Sequence, residues 1–204
     1  MLVNEWGIPS KILIVNKDFT RTIAAGIIIQ RTSLMDNKIF LLITQALPLI
    51  LPMNIYVIGD WLGTGIQWAL FRYQQTYLGT SLIPVSNDFR YVLDGIMGGR
   101  SGVSVLIWCA GAVMLVAAVF LFIYSQYMEP DSRWSSYPPL VSMVAGILFF
   151  LSCIVQYGVL LHSQAGFSIP IGVPIVIILG WYLYRQNDRK EAASSDMEEH
   201  RDGE

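Results

Sequence analysis

One of the two histidines, His162, lies in a short polar link, "HSQAGF", between two strongly apolar blocks. An imidazole beside carboxylates exchanges a proton near neutral pH or serves as a ligand. Asp60 leaves an apolar block at what should be the same level, and Arg100 precedes another. With Asp94 they form a candidate catalytic set at one end of the molecule: His162, Asp60, Asp94 and Arg100. The chemistry requires His162 within hydrogen-bond reach of a carboxylate, at the rim of a concave pocket. The competing reading is an end-cap histidine bonded to a loop carbonyl, with the charges on a solvated face.

Other chemistry-bearing patterns are sparse. The two cysteines, Cys109 and Cys153, both fall inside apolar blocks and read as small packing residues. There is no CxxC, HExxH or Cys/His cluster, so neither a metal site nor a cofactor is expected. The stretch "GIMGGRSG", Gly95 to Gly102, suggests a phosphate loop but lacks the lysine. Neither charge excess, basic at the start or acidic at the end, is large enough to expect nucleic acid as a partner.

The elements that would position these residues are read from hydropathy. Of the 204 residues 54% are hydrophobic and 14% charged, and the apolar residues collect in long blocks. Four uncharged blocks predict an all-α bundle of four transmembrane helices, over 39–59, 103–124, 139–161 and 168–184. This makes 39–184 the membrane domain, preceded by a cytoplasmic segment, 1–38, and followed by a disordered cytoplasmic tail, 185–204. The block "IAAGIII", Ile23 to Ile29, is too short to span. Lys11, Lys17, Arg21, Arg31 and Lys38 precede the first span, and Arg185, Arg189 and Lys190 follow the last. Basic residues stay inside, so both termini are expected in the cytoplasm and the loop 60–102 outside the cell membrane. Tyr56, Trp61 and Phe167 then mark the outer interface.

Within that outer loop, Leu62, Ile66, Ala69, Leu70, Tyr73 and Tyr77 are spaced by three and four, which predicts an amphipathic helix. A second short helix is expected to begin near Ser86, Asn87 or Asp88, with Phe89, Val92, Leu93 and Ile96 on one face and Arg90 and Asp94 paired on the other. Inside the spans, Gln45, Pro48 and Pro52 share a face that should point inward. Ser142, Gly146, Cys153 and Gln156 form a small, polar stripe suited to helix contact. Hairpin arithmetic for the second and third spans sets Ala117 against Gly146 and Ala110 against Cys153.

The stretches "FRYVLDGIMGGRSGVSVLIW" and "GFSIPIGVPIVIILGWYLY" resemble small, functionally uncharacterised four-helix membrane proteins of archaea. The resemblance implies an integral membrane fold, no activity and no functional residues. Function is therefore read from what the spans contain. With no buried charge and no active-site motif, the expectation is a noncatalytic membrane protein, an accessory or scaffold subunit in the lipid bilayer with a protein partner or a second copy. The alternative is a membrane-embedded enzyme or small-ligand binder with its site at the outer face. A carrier or channel is disfavoured, because no ionisable pair lines a path.

Overall fold

The computed structural model describes residues 39–59, 62–127 and 136–201, with side chains in the last helix described as far as Asp188. The N-terminal segment 1–38, with Ile23 to Ile29, and the positions of Asp60 and Trp61 lie outside the described residues. The chain divides after Leu41, and residues 42–204 form the larger compact unit.

The expected all-α bundle is corrected by a six-stranded antiparallel sheet. The described part of helix α1, Ile39–Ile50, is shorter than a bilayer crossing. It gives way to strand β1 (Pro52–Ile58), so the first predicted span is half helix and half strand. Pro52 marks the change: proline ends a helix and is tolerated as the first residue of a strand. The predicted amphipathic helix is instead β2 (Gly63–Trp68), β3 (Phe71–Thr76) and β4 (Gly79–Pro84). The three-four spacing coexists there with a period of two, and the residues decide between them. Thr64, Ile66, Trp68, Phe71, Tyr73, Thr76, Thr80 and Ile83 favour a pleated surface. Gly63, Gly65 and Gly79 disfavour a helix interior. The link around His162 is a small hairpin, β5 (His162–Ser163) and β6 (Gly166–Ile169). The fourth predicted span therefore begins as strand. Strand order is β4-β3-β2-β1-β6-β5. Gly166 starts β6 at a φ of 119°, and a Cβ there would collide with the Val57 carbonyl as β6 docks on β1.

The predicted short helix is present as α2 (Val85–Leu93), entered through Pro84 without a side-chain cap. Three long helices follow: α3 (Gly99–Tyr127), α4 (Tyr137–Tyr157) and α5 (Gly172–Arg201). α5 continues as helix past Arg185, where the tail is expected to lose order. Two helices, Gly99–Gln126 and Tyr137–Tyr157, are long and apolar enough to cross a membrane.

The helices pack through narrow surfaces. On α3, Ala112, Leu115, Ala118 and Phe122 are buried, at spacings of three and four. On α4, Ala145, Phe149, Ser152 and Cys153 are buried. The opposite faces are just as apolar: Val113 and Phe120 are both 68% exposed and Ile178 62%. A helix apolar all round, with only a seam buried by protein, suits a lipid surrounding. The α3–α4 register differs from the hairpin arithmetic by six to seven residues, nearly two helical turns. Ser104 faces Ser152, Ser101 faces Gln156, and the Trp108 ring lies 4.6 Å from that of Phe149. Direct helix contact is present; the anchor chosen for the arithmetic is displaced, because α3 runs on to Tyr127. The inward stripe on α4 is as expected: Gln45 of α1 donates to Ser142 Oγ at 2.6 Å, and Gly146 admits Ile177 and Val176 of α5.

Candidate functional site

The sheet meets the helices with its polar face. Along β1, Asn54 and Tyr56 point inward and are 1% and 3% exposed. The inward neighbours on other strands are Gly65 and Gln67 on β2, Arg72 on β3 and Ser168 on β6, with Ser168 Oγ bonded to Asn54 Oδ1 at 2.7 Å. Asn54, Tyr56, Gln67 and Arg72 roof a cavity of about 60 Å³ whose floor is supplied by α3 and α4. Ser101, Ser104, Trp108, Ser152, Gln156 and Tyr157 form that floor. The walls are fixed by cross-links: Trp108 Nε1 donates to the Ala69 carbonyl at 3.2 Å, and Ser104 and Ser152 exchange hydroxyl–carbonyl bonds of 2.9 and 2.8 Å.

The ionic group of the cavity is Arg72–Asp88, with Nη2 2.7 Å from Oδ1. Asp88 is buried, its side chain 6% exposed, and Arg72 is half-buried at 18%. Burial pushes the Asp88 carboxyl above the ordinary carboxylate range, and the Arg72 guanidinium pulls it part of the way back. The Tyr56 phenol is likewise raised, chiefly by burial. Its ring lies across β2 at Gly65, where a Cβ would collide with the phenol carbon and oxygen, so only glycine lets Tyr56 extend toward Arg72. Two buried polar atoms at this site, Tyr56 Oη and Arg72 Nε, have no partner of good hydrogen-bond geometry among the described residues.

The sequence-predicted cluster occupies other ground. His162 is exposed on the short edge strand β5, opposite Phe167. Asp94 caps the C-terminus of α2 with its backbone N–H on the Arg90 carbonyl, and Arg100 is exposed in the first turn of α3. Asp60 lies outside the described residues. None of His162, Asp94 and Arg100 lines the cavity. Among the described residues the ion pair of α2 is Asp88 with Arg72, where Arg90 with Asp94 was expected, and no group of three metal-ligating side chains occurs. Tyr56 is buried in the site, away from the interface position expected for it. Cys109 and Cys153 are both free; Cys153 lines the cavity, and Cys109 Sγ approaches the Val85 carbonyl at 4.0 Å.

Tyr56, Gln67, Arg72 and Asp88 were not assigned to a common site from sequence: Tyr56 was expected at the outer interface and Asp88 at the start of a short helix. One signal was available: glycines at 63 and 65 within a period-two pattern mark a strand that another group approaches closely. Compared with protein-family models and with curated proteins, the sequence matches none.

Proposed function

We propose that this chain is a noncatalytic multi-pass membrane protein, an accessory or scaffold subunit that meets a protein partner through the exposed face of its sheet. The observation that carries the reading is one row of side chains. Ile169, Ile55, Ile66, Tyr73 and Leu82 stand in register on five adjacent strands. Four of them are 51%, 37%, 39% and 64% exposed, for Ile169, Ile55, Tyr73 and Leu82 respectively. An antiparallel sheet with one covered face ordinarily turns its apolar side chains inward and its polar ones outward. Here the polar face is the covered one. A contiguous apolar surface on the solvent side marks an interaction site.

In this reading α3 and α4 cross the cell membrane and both termini are cytoplasmic. Arg185, Arg189 and Lys190, after the apolar part of α5, supply the basic excess that holds that end inside. The stacking of Arg185 over Trp181, 4.7 Å from the ring centroid, suits an interfacial anchor.

The reading is tested with a photo-crosslinking amino acid at Ile55 or Leu82 in the full chain, in its native membrane. The expected result is one crosslinked protein species of fixed stoichiometry, lost when the other position carries aspartate. Adducts to lipid alone would overturn it. A reporter fused after Glu204 that functions only outside the cell would overturn the orientation.

A further inference from the structure

The exposed sheet face leaves the cavity on the other side of the sheet without a role. Its chemistry is specific. Tyr56 Oη and Arg72 Nε are buried without a partner of good hydrogen-bond geometry among the described residues, although the Arg72 guanidinium stands close enough to the phenol to act on it, and both residues border the same space. Arg72 Nε–H can only donate, and a phenol O–H donates readily. Leaving buried polar groups unbonded is costly, so two donors facing one space shape it for an acceptor. The tyrosine is held there deliberately in structural terms, by the missing side chain at Gly65.

Charge decides which acceptor. The guanidinium already has its counter-ion in Asp88, through Nη2. The inner part of the site is therefore neutral, and a second anion would bring an uncompensated charge out of water. A neutral carbonyl oxygen accepts from Nε–H and O–H without that cost. The amides of Gln67 and Gln156 and the hydroxyl of Ser101 also line the space and can meet an amide's own donors. A volume of about 60 Å³ holds roughly four waters, or about four heavy atoms.

We propose that the cavity between the sheet and α3/α4 binds the carbonyl or primary-amide end of a small neutral molecule, with Arg72 Nε–H and Tyr56 O–H as its donors. This is independent of any partner on the outer sheet face. Acetamide and acetate, equal in shape and unequal in charge, test it. The full chain in detergent is titrated with each while the ¹⁵N–¹H signal of Arg72 Nε is followed, assigned by its loss in Arg72→Lys. Acetamide should shift the signal and saturate with a Kd on the order of millimolar, since few atoms set a low ceiling on affinity. Acetate should bind at least tenfold more weakly. Tyr56→Phe, which keeps the ring and the Arg72–Asp88 pair, should weaken acetamide binding about tenfold while leaving the melting transition cooperative. No response to acetamide, tighter binding of acetate, or an affinity unchanged in Tyr56→Phe would each overturn the proposal.

Discussion

The residues that matter most are those whose environment contradicts their type: a half-buried arginine and a buried aspartate, and a tyrosine crossing a glycine. Removing one member of a buried ion pair leaves the other charged and uncompensated. Arg72→Met should therefore destabilise the protein by about 3 kcal/mol, and Arg72→Met with Asp88→Asn should recover most of the loss; denaturant unfolding of both variants measures this. Asp88 also sets a pH dependence. Its folded pKa lies above its ordinary value of 3.8, so the folded state holds the proton to higher pH than the unfolded chain does. The stabilisation is complete below 3.8 and is lost as pH rises through the elevated folded value. Melting temperature should fall with rising pH across that window, and the slope should vanish in Asp88→Asn. At Gly65, alanine should displace the Tyr56 ring and cost about 1–3 kcal/mol, the usual range for overpacking; the loss should shrink in Tyr56→Ala.

At the scale of elements, α3 and α4 are joined beneath the cavity where polar side chains replace apolar packing. Ser104 and Ser152 bond each other's backbone and hydroxyl across α3 and α4, and both are buried. A double-mutant cycle with alanine at the two positions should give a coupling of about 1 kcal/mol. Single replacements should cost more than half of the double one, because each orphans its partner. The exposed and buried faces of α3 should respond in opposite ways. Phe122, 1% exposed, should cost about 3–5 kcal/mol as alanine. Phe120, 68% exposed, should cost little, and a cysteine at that position should be quenched by brominated lipid.

At the scale of the whole molecule, the larger unit, residues 42–204, has two regions of different character. Along α3 the apolar seam from Ala112 to Phe122 packs helix on helix, and Ser101, Ser104, Val105 and Trp108, with Met97 just before the helix, line the cavity under the sheet. The contact between sheet and helices is apolar where Met53 and Ala69 join Trp108, Ala112 and Phe149 in the core, and polar around the cavity, while the outward surfaces are largely apolar. In the proposed reading, lipid surrounds the helices and a partner covers the sheet face. The protein should stay with the membrane fraction after an alkaline carbonate wash; release into the supernatant would contradict the helix reading.

What the sequence determined by itself was where apolar residues are continuous and where helices must touch. The blocks that became α3 and α4 were legible because a run of about twenty apolar residues has few other folds available. The inward faces of Gln45 and of the Ser142–Gly146 stripe were legible because a polar or small residue in such a run has one inexpensive direction. Two stretches were not legible. Between Gly63 and Pro84 the periods of two and of three to four both fit, and pairing with β1, distant in neither case by local rules, decided for strand. At Pro52 to Ile58 an apolar run long enough to span was ended by proline and paired on both sides, with β2 and with β6, the latter more than a hundred residues away in sequence. Local periodicity carries no information on such partners. The cavity followed from the same pairing. Only the antiparallel register of β1, β2 and β3 sets Tyr56 across Gly65 and turns Arg72 inward toward Asp88, because the side-chain period of two sends every second residue to the helices and the rest away from them.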